Sequence, residues 1–189
     1  MGELIVLNGT TSSGKTTLAV EMQRQLGEEG RCWVVFGIDD FRAAAPTLGG
    51  VLRSGAHAAE GLMAVRCGDG VVLRTGSIGR AVLGVYRQTI ASLVRNGLNV
   101  IVDEVVLDEA AWAGWETELR DLDPLWVRVD CPTEVCEQRE RARGDRLLGL
   151  ARTQAGTVHR YPTYHVAVDT STAAPIELAQ AVIAAHAAR

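Results

Sequence analysis

The chain has 189 residues, 47% of them hydrophobic and 22% charged, which suits one globular domain with a core of its own. Its formal net charge of -4, with no basic cluster outside residues 139–146, argues against a nucleic-acid-binding surface. No apolar run approaches the ~18 residues of a membrane span, and the N-terminus enters a strand without the features of a signal peptide, so the expected location is the cytoplasm. Cys32, Cys67, Cys131 and Cys136 lie far apart or at non-ligand spacing and read as reduced thiols.

Residues 4–7, Leu-Ile-Val-Leu, predict a first strand. Gly9-Thr10-Thr11-Ser12-Ser13-Gly14-Lys15-Thr16 follows and fits G-x-x-x-x-G-K-[ST], the phosphate-binding loop. A helix-compatible run starts at Thr17, reaches about residue 26 and is closed by residues 27–30. Strand, loop and helix in that order are the context the motif requires. Small residues let successive backbone N–H groups turn inward around phosphates, and the helix points its positive end at them. Lys15 would reach the β and γ phosphates, and the Thr16 hydroxyl would hold Mg²⁺. Gly9, Thr10, Thr11, Ser12, Ser13, Gly14, Lys15, Thr16 and Thr17 are thus the candidate nucleotide contacts. Of 19 basic residues, Lys15 is the one lysine and the rest are arginine. A compact ammonium fits a tight loop where a planar guanidinium does not, which marks this position as constrained.

Residues 33–36, Trp-Val-Val-Phe, read as a buried parallel strand ending in Gly37-Ile38-Asp39-Asp40. Ligands in open α/β sheets gather at the carboxyl ends of the strands, so this end should lie beside the loop. Asp39 is the candidate base for an attacking hydroxyl. Asp40 is the natural cap for the next helical turn. Residues 41–76 form an irregular insertion that should shape an acceptor pocket. Within it, Asp69-Gly70 between two apolar runs predicts a hairpin with a type I′ turn. Phe41, Arg42, Leu52, His57, Leu62 and Val72 could line the pocket, though each singly reads also as plain packing.

A long helix follows, with Ser77 as candidate cap and Gly97 as its end. Val82, Tyr86, Ile90, Leu93 and Val94 should face the sheet; Arg80 and Arg87 point elsewhere, where either could meet substrate, with a solvated face the better reading of Arg87. Residues 100–102 are a strand ending in Asp103, a carboxylate placed to help hold Mg²⁺ or to bond the loop at Thr16. Asp108 opens a helix with a core stripe of Trp112, Trp115 and Leu119. Residues 125–129 are the fourth strand. The segment 139–146 then carries Arg139, Arg141, Arg143 and Arg146 around Gly144, the pattern of a hinged lid over a nucleotide. Arg139 is a candidate nucleotide contact, and Arg143 and Arg146 are candidates for stabilising the transferring group. Residues 164–168 form a fifth strand, and a last helix starts near Pro175. His57, His159, His165 and His186 show no ligand spacing. Strand and helix alternating five times predict a parallel five-stranded sheet with helices on both faces, a P-loop kinase fold carrying a small hairpin insertion.

The stretches Phe36-Gly37-Ile38-Asp39, Ile101-Val102-Asp103-Glu104-Val105, Ala142-Arg143-Gly144-Asp145-Arg146 and Val166-Ala167-Val168-Asp169-Thr170, with the loop, resemble chloramphenicol phosphotransferase of the P-loop kinase superfamily nearly end to end. The resemblance implies a single domain over residues 1–189, with the acceptor insertion near 41–76 and the lid near 139–152. It implies ATP-dependent phosphorylation of a primary hydroxyl on an amphenicol antibiotic. Asp39 would activate the hydroxyl, Lys15 and Thr16 would bind the triphosphate and Mg²⁺, and Arg143 and Arg146 would belong to the lid. The alternatives are a kinase for another hydroxyl compound, such as a sugar acid, adenylylsulfate or a nucleoside, and an ATP-binding regulator without acceptor chemistry. A GTPase of the usual kind is excluded, because its guanine-reading Asn-Lys-x-Asp motif needs a second lysine.

Overall fold

Every residue of the first strand, β1 (Leu4–Asn8), is buried. A strand covered on both faces needs that continuous apolar run. The computed structural model describes residues 1–43, 57, 59–144 and 147–189, without the side chains of 41–43. β1 leads through the loop to α1 (Lys15–Glu28), β2 (Trp33–Gly37) and α2 (Ile38–Ala43). A hairpin of β3 (Leu62–Cys67) and β4 (Gly70–Thr75) follows, then α3 (Ser77–Arg95), β5 (Asn99–Glu104), α4 (Glu109–Glu118) and β6 (Leu125–Asp130). The chain ends with α5 (Thr133–Arg143), α6 (Leu150–Ala155), β7 (Val166–Asp169) and α7 (Pro175–Ala187).

The five strands outside the hairpin form one parallel sheet, as expected, in the order β2-β5-β1-β6-β7, so that β5 and not β2 lies next to the loop strand β1. Side chains alternate along each strand, so each face receives every second residue. Ile5 and Leu7 meet Leu18, Met22 and Leu26 of α1 and Leu178 and Val182 of α7 on one face. Leu4 and Val6 meet Tyr86, Ile90 and Val94 of α3 and Trp115 of α4 on the other. The predicted stripe on α4 is core: Trp115 stacks edge-on against Tyr86 and Trp126, and Trp112 against Trp126. Adjacent aromatic edges and faces attract beyond their area burial.

The hairpin forms where it is predicted, but its turn lies one residue earlier. Cys67 pairs with Gly70, so Gly68 and Asp69 are the two loop residues. The positive φ of 58° belongs to Gly68 and not to Asp69, which is the II′ arrangement with glycine first. At the start of α3 the cap position is Gly76 and no side chain caps it, so Ser77 is the first helical residue instead. The fifth strand is shorter than expected, beginning at Val166; His165 Nδ1 instead accepts the N–H of Trp126 at 2.9 Å.

Candidate functional site

The loop between β1 and α1 is shaped by close packing. A Cβ on Gly9 would lie 2.5 Å from the Val129 carbonyl oxygen and 2.9 Å from Ser13 Oγ. We expect Gly9→Ala to displace the loop and weaken nucleotide binding more than tenfold, an order of magnitude set by ~1.4 kcal/mol of misfit. Calorimetric titration with ADP checks this; unchanged affinity would refute it. Ser12 takes a positive φ of 59° and Gly14 one of 95°. Such alternation turns backbone N–H groups to one side, forming a nest for anions. α1 begins at Lys15, so its unpaired first-turn N–H groups face the same hollow.

Lys15 is 4% exposed. Its Nζ donates to the Thr10 carbonyl at 2.6 Å and lies 3.6 Å from Asp103 Oδ1. Thr16 Oγ1 donates to Asp103 Oδ2 at 2.5 Å. Parallel pairing of β5 with β1 and β2 puts Asp103 level with Leu7 and Gly37, which brings it to the loop. A hydroxyl and a carboxylate side by side are hard oxygen donors of the kind Mg²⁺ takes together with phosphate oxygens. Among the described residues no cluster of three or more His, Cys, Asp or Glu could hold a metal without such help.

Asp39 and Asp40 stand in the first turn of α2, at the carboxyl end of β2. Their duties differ. Asp40 does not precede the helix as predicted, because α2 already starts at Ile38; from the third helical position its Oδ2 reaches back and accepts the Gly37 N–H at 2.8 Å, which caps the turn from inside. Asp39 lines a cavity of about 880 Å³ together with Lys15, Thr16 and Asp103. Apolar side chains also line it, Ile38, Leu62, Leu73, Val82, Val105 and Leu107, alongside the polar Thr75 and Asp108.

The arginine segment meets the loop at Arg139. Arg139 donates from Nη1 to Thr170 Oγ1 at 3.1 Å and the Ser12 carbonyl at 3.4 Å, and from Nη2 to the Thr170 carbonyl at 3.0 Å. Thr170 Oγ1 in turn donates to the Ser13 carbonyl at 2.5 Å. Arg143 lines the cavity and ends α5, where Gly144 turns left-handed with φ 68°. Arg146 lies outside the described residues, as does Leu52; the side chains of Phe41 and Arg42 do too.

Three pocket candidates are corrected or sorted by strand register. Leu62 faces the cavity, opposite Thr75, as expected. Val72 points to the other face of the hairpin and is 40% exposed, because its neighbours Val71 and Leu73 take the inner face. His57 is exposed and lies 3.8 Å from Glu60 instead of in the pocket. Arg87 is not on a solvated face. It is half-buried, its guanidinium against Gly114, and its charge acts on Glu104.

Several site residues escape sequence reasoning. Asn8 is fully buried at the end of β1; it accepts the Val106 N–H at 2.8 Å and donates to the Val158 carbonyl at 2.8 Å. It therefore joins the loop strand to the segment after β5 and to the segment after α6. Gln154 Oε1 accepts the Thr11 N–H at 2.7 Å. Glu140, fully buried on α5, accepts N–H groups of Gly149 and Ala151 and so anchors α6. None of these pairs is near in sequence, so no local pattern signals them. Cys136 sits 3.5 Å from Thr10 Oγ1, and burial pushes its thiol up to about 11, so it stands beside the loop as a neutral thiol and not a nucleophile.

Glu104, next to Asp103, is buried at the cavity edge. Oε1 accepts the Val105 N–H at 2.7 Å and Oε2 the Trp115 indole N–H at 3.1 Å. Burial raises its pKa from 4.5 to about 7, against the pull of the Val105 N–H and Arg87. A native pKa above the unfolded one means folding takes up a proton. The stabilisation is complete below pH 4.5 and is lost as pH rises to about 7. The loss is roughly 3 kcal/mol at ~1.36 kcal/mol per unit. Urea titrations of the nucleotide-free, Mg²⁺-free protein should therefore show Glu104→Gln gaining on the wild type between pH 5 and 7 and no further above it. A difference that stays constant across that range would contradict the burial argument.

The model of the family described as "Chloramphenicol phosphotransferase-like protein" matches residues 2–187. The "Putative O-phosphotransferase" of Mycobacterium tuberculosis is 34% identical over 95% of this chain and 80% of its own length. Among solved structures, the Mycobacterium tuberculosis APS kinase CysC in complex with AMPPNP and APS superposes with a TM-score of 0.67, at 19% identity over 97% of this chain and 96% of that one. A gluconokinase from Sinorhizobium meliloti gives 0.65, at 16% identity over 98% and 92%. The two structures share the fold, and the sequence match over almost every residue carries the rest: this chain belongs to the chloramphenicol phosphotransferase-like family and has the architecture of the P-loop kinases.

Proposed function

We propose that the protein is an ATP-dependent phosphotransferase acting on a hydroxyl of a small apolar molecule, with an amphenicol antibiotic as the leading acceptor. Membership of an O-phosphotransferase family supports the reaction class. The observation that carries the finer reading is one cavity with two unlike sets of lining groups. Lys15, Thr16, Asp103 and Arg143 line it together with Asp39, and a group of aliphatic side chains, Ile38, Leu62, Leu73, Val82, Val105 and Leu107, lines it too, with Thr75 and Asp108 among them. An aliphatic wall stabilises an acceptor with an apolar body, at about 25 cal/mol per Å² removed from water. It offers little to a sugar acid or a sulfate ester.

In this reading Lys15 and the loop N–H groups bind the triphosphate, and Arg139, fastened to Ser12 and Thr170, backs the nucleotide. Thr16 and Asp103 would hold Mg²⁺, which would neutralise charge on the phosphates. Asp39 accepts the proton of the acceptor hydroxyl as its oxygen bonds to the γ phosphorus, and the bond from that phosphorus to the ADP oxygen breaks. Arg143, and Arg146 from the same segment, stabilise charge on the transferring group. The whole chain works as one domain, with residues 41–76 on the acceptor side. Its four free cysteines suit a reducing cytoplasm. Among the described residues no helix is long and apolar enough to cross a membrane.

The test is acceptor-stimulated ADP release from ATP·Mg²⁺ over a panel of apolar alcohols, amphenicols included, and anionic hydroxy acids. Stimulation by the apolar members alone is the expected result. Stimulation by the anionic members alone would overturn the acceptor class, and tight nucleotide binding with no phosphorylated product from any acceptor would favour a regulator.

A further inference from the structure

The short helix α6 is held from three directions. Glu140 of α5 accepts N–H groups at its start, from Gly149 at 3.1 Å and Ala151 at 2.8 Å. Thr153 donates to the Val71 carbonyl, and the Val71 N–H donates to the Gly149 carbonyl at 3.3 Å, which fastens the helix to the hairpin. Gln154 reaches the phosphate loop. It is 4% exposed, its Oε1 accepts the Thr11 N–H at 2.7 Å, and it lines the cavity.

The peptide unit joining Thr10 and Thr11 is clamped at both ends. Lys15 Nζ holds its carbonyl at 2.6 Å, and Gln154 holds its N–H. The two side chains therefore meet the loop at the same peptide, the one that the lysine for the outer phosphates touches. An amide has two ends. With Oε1 engaged by the loop, the Nε2 of Gln154 makes no hydrogen bond among the described residues. Gln154 Nε2 is not among the enclosed polar atoms left without a partner, so this donor opens on the cavity, where an oxygen of a bound ligand can accept from it. The cavity that Gln154 lines with Lys15 and Arg143 is where that ligand enters.

We propose that Gln154 is a binding and positioning residue for the terminal phosphoryl group: its Oε1 fixes the loop at Thr11, and its Nε2 donates a hydrogen bond to an oxygen of the γ phosphate. This rests on the phosphotransferase reading above. It adds that the arginine-bearing segment is joined to the loop by a group that senses whether a third phosphate is present. A merely structural glutamine would hold the loop equally for a diphosphate and a triphosphate.

The discriminating variant is Gln154→Glu. A carboxylate still accepts the Thr11 N–H, so a structural role is preserved, but the donor is replaced by a negative charge. With Mg²⁺ present, calorimetry on the full chain compares ADP with a β,γ-imido analogue of ATP. For the variant, ADP itself should bind more weakly, because a carboxylate at Thr11 repels any phosphate in the loop, and the ratio of analogue to ADP affinity should fall about tenfold or more, the value of one hydrogen bond to a charged group. Gln154→Met, which keeps the shape and removes both polar atoms, should lower the same ratio even if it weakens both nucleotides, and it stands in if the glutamate variant melts early. An unchanged ratio in the folded variants overturns the inference alone. A wild-type chain that binds neither nucleotide overturns the inference and the phosphotransferase reading together.

Discussion

Asp39→Asn is expected to lower kcat by roughly 10²–10⁴, the range for loss of a positioned general base. ADP affinity should be little changed, because the bonds that hold Lys15 and Thr16 run to the Thr10 carbonyl and to Asp103. The neighbouring carboxylate is the control. Asp40 is engaged by the Gly37 N–H, so Asp40→Asn should cost about 1 kcal/mol of stability as a weakened cap and leave the chemistry nearly intact. Single-turnover kinetics on both variants separates the roles. Near-full turnover by Asp39→Asn with intact nucleotide binding would remove Asp39 as the base.

Lys15→Arg should be almost as severe, with turnover down roughly 10²–10³, the loss seen when one preorganised donor to a developing charge is removed. The substitution keeps the charge, so the effect is one of shape. The ammonium is almost wholly enclosed, with the Thr10 carbonyl at 2.6 Å and Asp103 at 3.6 Å. A guanidinium is wider and planar and cannot take that position without moving the loop. Elsewhere the chain uses arginine for every basic residue. Turnover within about threefold of wild type would mean that the site tolerates a fork, and the argument from the solitary lysine would fall; the bound on a near-neutral change is well under 1.4 kcal/mol.

The donor half of the cavity was readable because its information is local. A β1 run, eight loop residues and a helix start are contiguous, and the rule that ligands gather at the carboxyl ends of parallel strands carries Asp39 and Asp103 to the same place. Alternating strands and helices give a parallel sheet but not its order: β5 lies between β1 and β2, a pairing of segments far apart in the chain that no local pattern signals. The hairpin was readable as a hairpin, but Gly68-Asp69 and Asp69-Gly70 both offer a glycine, and only the pairing of Cys67 with Gly70 decides between them. That one-residue choice also fixes the faces, which is why Val72 points out and Leu73 in. Gln154 was not readable. It meets Thr11 across 143 residues, and a glutamine in a short polar helix looks like any solvated side chain. Glu104 and Arg87 were missed for the same reason: a charged residue reads as exposed until packing against Trp115 and Gly114 encloses it.

Phosphorus-31 NMR of chloramphenicol incubated with ATP·Mg²⁺ and the protein is the most direct measurement. The expected result is a new phosphomonoester resonance coupled to the protons of the primary hydroxyl carbon, growing as ATP is converted to ADP and absent with Asp39→Asn. If ADP and inorganic phosphate instead form at the same rate with every acceptor and with none, and no phosphomonoester appears, the cavity is not the transfer site of a small-molecule phosphotransferase.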